Sequence, residues 1–82
     1  MIRVLVCDDH AISRVGLAYV LESEPDITVV GEAIDGQDAI DKATMLRPDF
    51  IVMDLYMPRR TGLEALALIS ERLPKTKVMM LT

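Results

Sequence analysis

The chain has 82 residues, 51% of them apolar, with a formal net charge of −4 and a single cysteine. That length holds one small core and no second domain, and an acidic balance with one Phe, two Tyr and no Trp gives no basic stripe for tracking a phosphate backbone. Cys7, alone inside an apolar run, excludes an internal disulfide and reads as a small core residue in a reducing compartment. The N-terminal run meets two acids too soon for a signal peptide or a membrane span, so a cytoplasmic setting with no membrane partner is expected.

Ile2 to Cys7 is a run of buried-type residues and reads as the first strand. The first helix follows, with Ile12, Gly16, Leu17, Val20 and Leu21 as its inward stripe and a stop at the SEPD turn around Pro25. A second strand covers Ile27 to Gly31. Asp35 caps a second helix that turns Ile40, Ala43 and Leu46 inward, and Pro48 stops it. The third strand covers Phe50 to Met53 and leads into Asp54. The TGLE stretch at 61–64 is a capping box in which Thr61 and Glu64 each satisfy a backbone donor of the third helix. Leu63, Leu66, Ile69 and Leu73 share one face of that helix, up to Pro74. The fourth strand covers Val78 to Leu81 and closes on Thr82.

Strands alternating with helices predict an α/β fold with a parallel sheet and right-handed crossovers. Four strands about 4.8 Å apart are wider than one helix of about 10 Å. If the first helix is alone on its face, half of that face is expected to be bare.

In such a sheet all strand C-termini lie at one edge, where α/β proteins bind ligands. Asp8 and Asp9 follow strand one, and Asp54 follows strand three. If those strands are neighbours, three carboxylates converge. Two of them about 5 Å apart repel by roughly 3 kcal/mol at an effective dielectric of 20, so the group calls for a cation, and oxygen donors of this kind suit Mg²⁺. A carboxylate beside a metal can attack phosphorus to form an acyl phosphate. The Thr82 hydroxyl would stand beside Asp54 if strands three and four pair. Other roles exist for each residue: Asp9 as a helix cap, Asp54 as a turn former before Pro58, and His10 as a solvated side chain. Tyr56 and Met57 read as loop residues over the site rim, and Arg59 and Arg60 as a solvated loop.

The stretches VLVCDDH, VVGEAIDGQDAI, RPDFIVMDLYMPRRTGLEAL and VMMLT span nearly the whole chain and resemble the receiver domain of two-component response regulators. DDHAISRVGL is similar to the subgroup that carries a LuxR-type helix-turn-helix after the receiver. The resemblance implies a flavodoxin-like, doubly wound parallel sheet of the form (βα)3β with strand order 2-1-3-4. Residues 1–82 would be the N-terminal two-thirds of the domain, without its fourth helix, fifth strand and fifth helix. It implies that Asp54 is the phosphoacceptor, served by a sensor histidine kinase. Asp8, Asp9, Asp54 and the Tyr56 backbone carbonyl would bind Mg²⁺, and Thr82 would be the switch hydroxyl. DNA would be reached only through a further C-terminal domain, controlling transcription. The Lys that ends the family's fifth strand has no counterpart here. Lys77 begins strand four, roughly 16 Å from the acidic edge at about 3.3 Å per residue.

Two other readings compete. One is an interaction module independent of phosphorylation, self-associating through the open edge of strand four and the bare face. The other is a Mg²⁺-dependent hydrolase acting on an outside substrate, for which no second acid or base near Asp54 is evident. A shared cation seat has a direct consequence. Mg²⁺ binds the folded form alone and is expected to raise the melting temperature, by the equivalent of about 2.7 kcal/mol at a hundredfold excess over its dissociation constant. Calorimetry should show that shift in the native protein and lose most of it in Asp9→Ala.

Overall fold

Residues 1–81 are described by a computed structural model. Valine- and isoleucine-rich runs form the strands β1 (Ile2–Cys7), β2 (Ile27–Ala33), β3 (Phe50–Asp54) and β4 (Lys77–Leu81). Between them lie α1 (Ala11–Glu22), α2 (Gly36–Leu46) and α3 (Gly62–Arg72). All neighbouring strands are parallel, in the order β2-β1-β3-β4. This is the flavodoxin-like arrangement expected from the sequence. No helix among the described residues is long and apolar enough to cross a membrane.

The central strands are the buried ones. Cys7 of β1 lies opposite Met53 of β3, and Leu5, Val6, Ile51 and Val52 are sealed around them. β2 continues past Gly31 to Ala33, because Glu32 and Ala33 go on pairing with Val6 and Cys7 after a register shift between Val4 and Leu5. That shift leaves Val30 as an extra residue on an edge strand, where such bulges are tolerated.

α2 packs as its sequence predicts. The Asp35 side chain accepts from the Asp38 amide, and Ala39, Ile40 and Ala43 are buried. α3 begins with the expected capping box of Thr61 and Glu64, but its buried face is rotated. Leu63 is 61% exposed, whereas Gly62, Ala65, Ile69 and Leu73 are buried. Small residues decide this. A Cβ at Gly62 would overlap the Asp54 carbonyl, so only glycine lets α3 start so close to the end of β3.

α1 departs further from its predicted stripe. Ile12 is 91% exposed and Val20 is also exposed, while Leu17 and Leu21 pack on Val4, Val6 and Val52. The helix touches the sheet along a narrow arc. Beside it Ile2, Val4, Phe50, Val52, Met79 and Leu81 line an apolar hollow, so this face is bare beyond α1 as expected. On the other face α2 and α3 close over a core of Leu5, Cys7, Ile40, Ile51, Met53 and Ile69. Burial there pushes the Cys7 thiol up to about 12, as befits an inert core residue.

The same face shows how tightly α2 meets the loop after β3. A Cβ at Gly36 would overlap the Arg60 carbonyl, and backbone cannot yield as a flexible side-chain tip can. Gly36→Ala is therefore expected to lower stability by about 1–3 kcal/mol, measured as a lower urea midpoint with an unchanged slope.

Candidate functional site

Because β1 and β3 pair in parallel with Cys7 beside Met53, the next residues on each strand emerge together. Ligand atoms of Asp8, Asp9, His10 and Asp54 all lie within 4.8 Å of one another. The three acids named from the sequence are thus brought to one corner. Asp8 is the anchored one: its amide donates to the Ala33 carbonyl at 3.0 Å, and its Oδ1 accepts from the His10 amide at 2.8 Å. Arg14 fastens α1 to this corner, donating from Nη1 to the Asp8 carbonyl and from Nε to Glu32 Oε1, each at 3.0 Å.

Asp9 does not cap α1. His10 occupies the cap position without a side-chain hydrogen bond. The His10 ring, 73% exposed, sets its Nδ1 3.1 Å from Asp9 Oδ1 and 3.4 Å from Asp8 Oδ1. The sequence reading left it solvated and outside the acidic cluster, and the structure adds its ring nitrogen to the group. Among the described residues no Lys or Arg forms an ion pair with Asp8, Asp9 or Asp54. Three carboxylates with no Lys or Arg partner among the described residues are a donor set suited to a hard divalent cation.

Asp54 ends β3 half-buried, and its Oδ1 accepts from the Tyr56 amide at 3.2 Å. Tyr56 is exposed on the loop between β3 and α3. Met57, expected over the site rim, is instead 6% exposed and belongs to the core under α2 and α3. Its apolar character beside Pro58 was the available signal for burial. Arg59 is exposed as expected, with 58% of its side chain accessible, and Arg60 is partly so, but both also bond across to the start of α2. Arg59 donates from Nε to Asp35 Oδ2 at 2.7 Å and from Nη2 to Asp35 Oδ1 at 2.9 Å, and Arg60 Nε donates to Gln37 Oε1 at 2.8 Å. Nothing in local spacing announces pairs of residues 24 and 23 positions apart. Thr82, expected as the switch hydroxyl, lies outside the described residues.

Residues 4–82 match the family described as the response regulator receiver domain. The chain belongs to this family. LiaR, a transcriptional regulatory protein of Bacillus subtilis, is 49% identical over 82 residues, which make up 100% of this chain and 39% of LiaR. A protein-glutamate methylesterase/protein-glutamine glutaminase of Thermotoga maritima is also 49% identical over 82 residues, 100% of this chain and 24% of that enzyme. A solved LuxR-family two-component response regulator from Aurantimonas is 32% identical with a TM-score of 0.92, covering 98% of this chain and 57% of that one. The receiver chain spans less than half the length of LiaR and of the methylesterase. Its relatives are mostly signalling response regulators, and the LuxR-type subgroup suggested by DDHAISRVGL is represented among them.

The receiver's Asp35–Arg59 pair also gives a pH dependence. The Arg59 guanidinium, and then the Asp38 amide, hold the Asp35 carboxyl below its ordinary 3.8 against the opposing effect of burial. A carboxyl depressed in the folded state stabilises the fold above its unfolded value, and that contribution is lost as pH falls through the folded value. Asp35→Asn keeps a capping side chain but loses the charge. The stability difference between wild type and Asp35→Asn is expected to be constant near neutral pH. It should close as pH falls below about 3.8, measured by urea unfolding across a pH series.

Proposed function

We propose that this receiver is a phosphoacceptor of two-component signalling, in which Asp54 takes a phosphoryl group from a phosphohistidine of a sensor kinase. The observation that carries the reading is the convergence of Asp8, Asp9 and Asp54 within 4.8 Å at the C-terminal edge of the sheet. Asp54 Oδ1 is engaged by the Tyr56 amide, and the second oxygen serves as the nucleophile. The Asp54 oxygen forms a bond to phosphorus, the phosphorus–nitrogen bond breaks, and the electron pair returns to the imidazole of the kinase. Asp8, Asp9, Asp54 and the Tyr56 carbonyl would hold Mg²⁺, which when bound neutralises charge on the transferring oxygens. The role of the chain's own residues is to position, which is most of what phosphoryl transfer asks of a protein.

The reaction is this protein's own modification and not turnover of an outside substrate, in keeping with LiaR and the other regulators it resembles. Their likeness also supports a cytoplasmic protein whose output is transcription, with DNA contacted by a part outside this chain. The relatives lend nothing to a phosphorylation-independent self-association module. Although the outer edge of β4 pairs with no other strand among the described residues, no observation assigns it a partner.

Incubation with Mg²⁺ and a small-molecule phosphodonor, followed by intact-mass measurement, should show one added phosphoryl group. Asp54→Asn should remove it, and Asp9→Ala should slow its appearance by at least about tenfold. Absence of the adduct from wild-type protein would overturn the reading.

A further inference from the structure

The loop between β3 and α3, residues 55–61, is fastened at both ends by different means. At the Asp54 end, Tyr56 donates to Asp54 Oδ1, Leu55 donates to the Leu81 carbonyl at 2.9 Å, and the Leu55 carbonyl accepts from Gly62 at 2.8 Å. At the far end the fastening is to α2. The fork of Arg59 grips both oxygens of Asp35, and Arg60 holds Gln37. The Pro58 carbonyl accepts from the Gly36 amide at 3.3 Å and from the Arg60 amide at 2.7 Å.

The Arg59 side chain is 58% exposed, yet two features set its contact with Asp35 apart. Asp35 is only 7% exposed and also caps α2, so its oxygens are committed to fixed donors, and the planar fork matches them with two charge-assisted bonds. Arg59 itself has a φ of 64°, a left-handed conformation uncommon for a residue with a long side chain. Such a conformation persists where surrounding contacts impose it. Around Arg59 those contacts are the turn closed by the Arg60 amide on the Pro58 carbonyl and the fork on Asp35.

Tyr56 is held on its amide side by the first fastening, and its carbonyl faces the stretch that leads to the second along the chain. That carbonyl is the backbone ligand in the Mg²⁺ reading above, on which this inference rests. Mg²⁺ demands near-ideal octahedral geometry, so a carbonyl on a loosened loop is a poorer ligand. We propose that Arg59 is a positioning residue whose grip on Asp35 holds the β3–α3 loop with the Tyr56 carbonyl in place, so that the start of α2 sets the cation affinity of the acidic corner.

The test compares wild type with Arg59→Gly, Asp35→Asn and the double variant. Glycine suits the left-handed backbone while deleting the fork, and asparagine keeps the helix cap while deleting the charge. The Mg²⁺ dissociation constant is measured by titration calorimetry, and hydrogen exchange of the Tyr56 to Arg60 amides is followed in the absence of metal. Each single variant should bind Mg²⁺ about tenfold more weakly, the effect of losing an outer partner of a metal ligand, and should exchange those amides faster. The double variant should be no weaker than the weaker single, because both changes break one interaction. Should Arg59→Gly fail to fold, Arg59→Lys decides, since it keeps the charge without the fork and is expected to lose affinity. Wild-type affinity in the folded variants, or losses that simply add, would overturn the positioning role. Failure of wild type itself to bind Mg²⁺ would instead sink the metal reading beneath it.

Discussion

Everything at the acidic corner depends on the parallel pairing of β1 with β3. Both strands run from the same edge of the sheet, and the Cys7–Met53 register makes Asp8 and Asp54 successors on adjacent chains. Strand side chains alternate between faces, so a slip of one residue would exchange the two buried sets between faces and draw the acids apart. The register is held because both strands are sealed on both faces, with Leu5, Cys7, Ile51 and Met53 against α2 and α3, and Val4, Val6 and Val52 against α1. Burial of apolar side chains thereby fixes a cluster of like charges that repulsion alone would disperse.

The two faces of the sheet carry different shares of this work. Under α2 and α3 the packing is closed, and it includes the loop after β3 through Met57. Around α1 the packing is partial, and Arg14 adds to the apolar contacts by joining α1 to the ends of β1 and β2. The corner is therefore bounded by one helix held through polar bonds and by one loop held through both its core residue and its charges.

Much of the fold was legible in the sequence because its signals are local. The strands are short Val- and Ile-rich runs, Asp35 and the Thr61–Glu64 pair announce helix starts, and strand ends carrying Asp8, Asp9 and Asp54 point to a shared edge. The errors arose where a neighbour outranked periodicity. The α3 stripe was placed on Leu63 because leucine is the larger hydrophobe, yet close approach of the helix to β3 selected Gly62 and Ala65 for the buried side. The α1 stripe included Ile12 and Val20, but the helix meets the sheet along too narrow an arc to cover them. Arg59 is solvated as read, but its partner and that of Arg60 are not legible, because charge next to proline resembles any turn and those partners at the start of α2 are fixed only once the sheet has formed.

Met57 has a dual membership: one peptide unit from Tyr56 along the chain, it is also a filler of the interior between α2 and α3. Interior volume and the placement of the loop beside the acidic corner are thus not separable traits in this molecule. A change of volume in that interior, silent for the acids themselves, bears on the loop that follows Asp54 through that methionine. Sequence drift in the deep packing of such a protein therefore also reaches the backbone at its acidic edge.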